Sequence, residues 1–291
     1  MSQNIIKSIC WDITSKCNEC CGFCYRNQNI KELDLNSNKF ILKKLIDFGV
    51  DKISFVGGEP LLYKDLFELV EWGRTYAKEK TVFSITTNGI LLTDIIDNQI
   101  IINTKLIEQL LQLFDWITFS LDGSNSKIQN KMGRNSLHFD RIISILEYLS
   151  QNGYPNKIKI NTVVSKINAN CIVDLYKLLC KYNVKRWKIF RFLPSRGNAL
   201  EYKDKYYISE DTFIRIINEI DKQNTQIRIT INGHDNFDNS YITISSEGNL
   251  VIFNNDIYVN KVNLLHEDIS NILKYIDVNG HQRKRSDFLH C

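Results

Sequence analysis

One alternation limits what this chain can fold into more than any other feature. Apolar stretches of strand length predict strands at 8–13, 52–56, 81–87, 116–121, 157–164 and 186–193. Between them, apolar residues recur at helical spacing and predict helices at 36–48, 64–77, 104–114, 139–151 and 171–182. Phe40, Ile41, Leu45 and Ile46 carry that spacing in the first helix. Strands joined through helices lie parallel in one sheet. Right-handed crossovers then curl the sheet toward a barrel. A closed barrel of this kind takes eight units. Six imply an α/β fold with a partial (β/α)6 TIM-like barrel.

Beyond Leu193 the rhythm changes. Ser209 opens a helix with Asp211 in its first turn and an apolar stripe of Phe213, Ile216, Ile217 and Ile220. A strand follows at 227–231, and strands at 241–245 and 250–253 flank the turn residues Glu247, Gly248 and Asn249. A last helix is expected at 269–276. The chain thus reads as a barrel core over 1–195 and a C-terminal α+β extension over 196–291, packed on the barrel.

Several classes are set aside early. No run of about 18 apolar residues exists, so no membrane span or membrane association is expected. The first ten residues lack the pattern of a signal peptide, which leads to a cytoplasmic expectation. The net charge of +4, from 37 basic and 33 acidic residues, is too balanced to indicate a nucleic-acid polymer as partner.

The eight cysteines are unevenly placed. Cys10, Cys17, Cys20, Cys21 and Cys24 all fall within the first 24 residues. A disulfide framework would spread them along the chain. Residues 17–24 allow two parsings. Cys17, Cys21 and Cys24 form C-x3-C-x2-C; alternatively, Cys17 with Cys20 and Cys21 with Cys24 make two abutting C-x2-C pairs. The second would give a closed four-thiolate zinc site, but abutting pairs wrap a tetrahedron poorly. The first gives three thiolates and leaves one iron of a four-iron cluster open, as a catalytic cluster needs. The loop follows the first strand, on the catalytic face of a β/α barrel.

This spacing in this place resembles the radical S-adenosylmethionine (SAM) superfamily. Further signposts stand in that family's order: Gly57-Gly58-Glu59-Pro60 after the second strand, Thr86-Thr87-Asn88-Gly89 at the third, Ser120-Leu121-Asp122-Gly123 at the fourth, then Met132-Gly133-Arg134. The resemblance covers about residues 8–195. It implies a 4Fe-4S cluster on Cys17, Cys21 and Cys24, with SAM chelated at the open iron. It implies SAM contacts from Gly57 and Gly58, whose bare backbone lets the methionine amine approach. Glu59 is expected to face the ammonium, Asn88 and Ser120 the ribose hydroxyls, and Phe23 the adenine. Arg134 is expected to clamp the carboxylate in a bidentate fork. Reductive cleavage of SAM would give a 5′-deoxyadenosyl radical that takes a hydrogen atom from the substrate. An external electron donor of flavodoxin or ferredoxin type is implied as partner.

Within that superfamily the later strands look like the viperin-like nucleotide dehydratases. Asp51-Lys52-Ile53-Ser54-Phe55, Lys159-Ile160-Asn161-Thr162 and Lys185-Arg186-Trp187-Lys188 carry this likeness. It implies a nucleoside triphosphate converted to its 3′-deoxy-3′,4′-didehydro form. Lys52, Ser54, Lys159, Arg186 and Lys188 become the expected substrate-binding residues. By strand alternation Lys157, Lys159 and Asn161 share a face, as do Arg186 and Lys188. Inward cations suit a bound polyanion; the alternative is that they cap solvated strand ends. Two other functions stay open: radical SAM modification of a peptide or other small molecule, and a non-catalytic metal-binding or electron-transfer module. Cys10, Cys20, Cys171, Cys180 and Cys291 are expected to be bystanders, with no auxiliary cluster among them.

Overall fold

The computed structural model describes residues 6–26, 31–78, 80–221, 226–233, 241–254 and 257–285. Cys291 lies outside them. The strands are β1 (Ile9–Thr14), β2 (Lys52–Gly57), β3 (Val82–Thr87), β4 (Thr93–Ile96), β5 (Gln99–Ile102), β6 (Trp116–Ser120), β7 (Ile158–Val164), β8 (Arg186–Arg191), β9 (Arg228–Asn232), β10 (Ile242–Ile244), β11 (Asn249–Asn254) and β12 (Ile257–Asn263). The helices are α1 (Leu35–Phe48), α2 (Leu66–Ala77), α3 (Thr104–Leu113), α4 (Ser126–Lys131), α5 (His138–Gln151), α6 (Ile172–Lys181), α7 (Gly197–Glu201), α8 (Lys203–Tyr206), α9 (Glu210–Asp221) and α10 (Val278–Arg285).

The main sheet runs β12-β11-β10-β1-β2-β3-β6-β7-β8-β9. Its six central strands, β1 to β3 and β6 to β8, are parallel neighbours. The sheet does not close, and the partial barrel is as the alternation implies. Local chemistry sets the helix ends. The Asp34 carboxylate accepts from Ser37 N at 2.8 Å at the start of α1, and Gly49 ends it in the left-handed region at φ 81°. Asn103 accepts from Leu106 N at the start of α3.

Strand alternation divides the sheet into two faces. Ile9, Trp11, Ile13, Ile53, Phe55, Phe83, Ile85, Ile117, Phe119, Ile158, Ile160, Trp187 and Ile189 are buried in the apolar core. Trp11 stacks on Phe55 at 5.9 Å, and Phe55 meets Phe83 edge-on. The residues between them in sequence line a cavity on the other face: Cys10, Lys52, Ser54, Ser84, Thr118, Lys159, Asn161 and Lys188. A polar inner face is unusual for a packed barrel core and marks a binding lumen.

The C-terminal stretch joins the same sheet at both edges. β9 pairs parallel with β8, and β10 parallel with β1. β11 and β12 continue beyond β10 as antiparallel strands. The expected last helix at 269–276 is a 3-10 helix, Ile269–Lys274, followed by α10. The hairpin of β4 and β5 was not anticipated. Its turn residues Asp97 and Asn98 take φ 51° and 60°, the mirror-turn geometry that a two-residue hairpin requires. Among the described residues no helix is long and apolar enough to cross a membrane.

Candidate active site

The cysteine loop leaves β1 at its C-terminal end and is fastened to the end of β2. Gly58 N donates to Thr14 O at 2.8 Å, and Glu59 N to Lys16 O at 2.7 Å. This contact explains the glycines. Gly57 has φ 137°, and a Cβ there would lie 2.4 Å from Thr14 O. At Gly58 a Cβ would lie 1.9 Å from Lys16 O. Both positions line the cavity, but the close approach their bare backbone permits is to the cysteine loop itself.

Cys17, Cys21 and Cys24 line the cavity. Cys20 is exposed and is not on the lining. The loop backbone turns back on two of the sulfurs: Glu19 N donates to Cys17 Sγ at 3.4 Å, and Arg26 N to Cys24 Sγ at 3.5 Å. Burial pushes the Cys17 and Cys21 thiols above their ordinary value; a bound metal reverses that by taking the thiolate. Among the described residues no three ligating groups converge on one point. The fit to a cluster therefore rests on three thiols sharing one wall, with N–H donors supplied to sulfur.

Behind the loop lies a buried ionic network that the sequence reading missed. Glu19, between two of these cysteines, accepts from Arg134 Nη1 at 2.8 Å and from Asn135 N at 2.9 Å. Arg134 closes its fork on Asp122, donating from Nε at 3.0 Å and Nη2 at 2.9 Å. Asp122 also accepts from Val163 N at 2.8 Å. Burial alone would raise the Glu19 carboxyl, but the Arg134 guanidinium outweighs it and holds the group below its ordinary value. Arg134, expected to fork onto SAM, lines the cavity, and here its donors are shared between Asp122 and Glu19. The signal was present in two acids within the motifs, Glu19 and Asp122, read only as loop and turn.

Glu59, expected to face the SAM ammonium, has protein partners in this structure. It is buried and does not line the cavity. Its carboxylate accepts from Thr87 Oγ1 at 2.7 Å, Asn88 N at 2.7 Å and Leu61 N at 3.2 Å. It ties β2 to β3, and burial raises its pKa to about 7. Asn88 lines the cavity, yet its Nδ2 donates to Asn18 Oδ1 at 2.7 Å and steadies the cysteine loop. Ser120 lines the cavity. Phe23 does too, with the Arg134 guanidinium 5.1 Å from its ring centroid.

The C-terminal stretch covers the loop. Tyr206 donates to Met132 O at 3.0 Å and packs so tightly on Gly22 that a Cβ there would lie 2.8 Å from its hydroxyl. Asn198 Nδ2 and Ala199 N donate to the carbonyls of Cys21 and Cys24, each at 3.0 Å.

The expected substrate residues divide. Lys52, Ser54, Lys159 and Lys188 line the cavity. Arg186 does not: it lies at the N-terminal end of β8, donates to Asn156 O at 2.6 Å and stacks over Trp116. Lys157 precedes β7 and donates to the carbonyl of Phe114 at 3.2 Å. Both fall outside the lumen because alternation fixes a face but not how far along it a side chain reaches. Cys10, expected to be a bystander, is on the wall, and its thiol donates to Tyr241 Oη at 3.1 Å. Asn161 Oδ1 is buried without a hydrogen-bond partner among the described residues.

Residues 11–179 match the sequence profile of the radical SAM superfamily. The chain belongs to the radical SAM superfamily. Membership makes it a radical SAM enzyme, with SAM and an iron–sulfur cluster as its implied cofactors. This radical SAM chain is similar to the S-adenosylmethionine-dependent nucleotide dehydratase of Flammeovirga pacifica, 32% identical over 87% of this chain and 84% of that one. A protein of the same name from Selenomonas ruminantium is 27% identical over 89% and 91%. Among solved structures, Streptococcus suis SuiB bound to S-adenosylmethionine superposes with a TM-score of 0.69 at 20% identity, covering 97% of this chain and 68% of SuiB. That likeness shows the radical SAM fold.

Proposed function

We propose that this radical SAM enzyme removes water from the ribose of a nucleoside triphosphate, giving the 3′-deoxy-3′,4′-didehydro nucleotide. The observation that carries the reading is the set of lysines on the cavity wall. Lys52 on β2, Lys159 on β7 and Lys188 on β8 line one lumen, and Lys52 and Lys188 are only 4% and 5% exposed. Three ammonium groups gathered on one lumen wall make a positive field that suits a polyanion. The name shared by the Flammeovirga and Selenomonas relatives supports the same substrate class.

In this reading the cluster is of the 4Fe-4S type, held by Cys17, Cys21 and Cys24, and with SAM it supplies the radical that takes a hydrogen atom from the ribose. The protein's own part is orientation. Lys52, Lys159 and Lys188 hold the triphosphate in the depth of the lumen. Ser54, Ser120 and Asn161 Oδ1 offer hydrogen bonds to the sugar or base between the phosphates and the cysteines. Electrons come from a flavodoxin- or ferredoxin-type donor in a reducing compartment such as the cytoplasm.

The test is an anaerobic assay of reduced, reconstituted enzyme with SAM and CTP, UTP, GTP or ATP in turn, beside a control without nucleotide. One nucleotide is expected to raise 5′-deoxyadenosine release and to yield a product lighter by one water. Release indifferent to all four would defeat the substrate assignment. Lys188→Gln should raise KM for that nucleotide by about tenfold or more, as loss of a charged contact would, whereas Arg186→Gln should leave KM near wild type.

A further inference from the structure

Trp116, the first residue of β6, is buried but stands apart from the apolar core cluster. By alternation it shares a face with Thr118 and Ser120, which line the cavity. It lies nearer the N-terminal end of the strand than either, away from the cysteines. Its ring meets two cations. Lys52 Nζ of β2 lies 4.3 Å from the ring centroid, and Arg186 Cζ of β8 lies 4.7 Å from it. The sheet order β2-β3-β6-β7-β8 roots these cations two strands away on opposite sides of β6. One ring reaches both by lying across the concave side of the curved sheet. The indole therefore floors the lumen at the end remote from the cysteines.

The two cations use this ring differently. Arg186 donates to Asn156 O at 2.6 Å and stays off the cavity wall. Lys52 is on the wall. Both residues begin their strands, where long cationic side chains ordinarily reach out to water. An ammonium over an aromatic face is attracted by the ring's quadrupole, and indole is the strongest such partner. That attraction keeps the Lys52 ammonium on the lumen side.

We propose that Trp116 is a positioning residue: its indole holds the Lys52 ammonium at the floor of the lumen, where that charge selects nucleotides by the length of their phosphate chain. This role rests on the nucleotide reading of the site. The ribose that gives up its hydrogen lies at the cysteine end, so the phosphates run toward the floor and the terminal one meets Lys52. A shorter chain stops short of it.

The test is a binding titration of reconstituted holoenzyme with SAM, anaerobic and without reductant, so that no turnover occurs. The probes are CTP, UTP, GTP and ATP and their four diphosphates. Wild type is expected to bind a triphosphate more tightly than the matching diphosphate. W116L should lose about 3- to 30-fold in affinity for the triphosphate, the size of a desolvated cation–π contact, and little for the diphosphate. W116F should fall between, because benzene is a weaker partner than indole. K52Q should narrow the same preference, and W116L added to K52Q should narrow it no further, since the ring acts through that ammonium. Equal losses for triphosphate and diphosphate in W116L would overturn the proposal, as would additive losses in the double variant or an unchanged preference. If W116L does not fold, W116F with and without K52Q decides on the same criteria. Wild type that bound triphosphates and diphosphates equally would overturn selection by chain length alone. Wild type that bound none of the eight would overturn the nucleotide reading itself.

Discussion

Cys20 and Cys21 are neighbours in sequence with opposite surroundings. Cys20 is exposed, while Cys21 is 7% exposed and faces the cavity. The distinction predicts a sharp asymmetry between two otherwise equal substitutions. Cys21→Ala should cost iron binding and SAM cleavage, since two thiolates hold a cluster poorly. Cys20→Ala should keep wild-type iron content and wild-type 5′-deoxyadenosine release. Iron analysis of the two reconstituted proteins checks this; loss of iron in Cys20→Ala would favour the four-thiolate parsing instead. Similar reasoning separates Lys188 from Arg186, two residues apart on one strand. The first lies along the lumen, the second folds back onto Trp116 and a backbone carbonyl.

At the scale of elements, α4 and α5 act as the frame behind the cysteine loop. His138, the first residue of α5, is buried, and its Nδ1 lies 2.9 Å from Gln129 Nε2 of α4. Its Nε2 stands 3.9 Å from Glu19 Oε2. Burial, helped by the nearby Arg134 charge, lowers its pKa to about 3. The folded protein therefore keeps His138 neutral while the unfolded chain protonates it below about 6.5. Stability from this group is present above pH 6.5 and is lost as pH falls toward 3. Between pH 6.5 and 5 the loss is on the order of 2 kcal/mol. His138→Gln should be less stable at neutral pH, because it disturbs a buried contact. Its melting temperature should nonetheless fall less steeply between pH 7 and pH 5 than that of the wild type. Parallel slopes in a thermal-melt series would show that His138 titrates normally.

For the whole molecule, the question is whether residues 1–195 form a unit of their own. The sheet argues for interdependence. Both edges of the six-stranded core are covered by later strands, β9 on β8 and β10 on β1. Tyr206, Asn198 and Ala199 add the cover over the cysteine loop. A chain ended after Ser195 would expose two strand edges, which invites aggregation, and would leave the loop carbonyls without donors. Such a fragment is expected to show no cooperative unfolding transition and to retain little iron. A soluble, iron-loaded fragment with a sharp melt would make 1–195 an independent domain.

Much of this was legible along the chain. Periodicity alone places the six core strands within about two residues of where they lie, because burying one face of each strand and helix leaves a repeating apolar signature. The cysteine spacing and the ordered Gly57-Gly58, Asn88 and Arg134 motifs point to the family and to the end of the barrel that bears the site. Alternation likewise marks Lys159 and Lys188 as inward. What the chain could not reveal is which partner each polar group takes. Arg134 and Glu59 read as ligands for SAM, yet the fold turns the first onto Asp122 and Glu19 and the second onto Thr87 and Asn88. Those acids and donors lie far apart in sequence, and only the assembled sheet brings them within hydrogen-bond distance. Arg26 shows the converse: nothing in its local sequence sets it apart, and only packing shows two of its donors buried with no hydrogen-bond partner among the described residues. Local sequence determines periodicity and motif, since these depend on neighbours along the chain; the pairing of charges is decided by tertiary structure, since burial makes each one seek the nearest opposite charge in space.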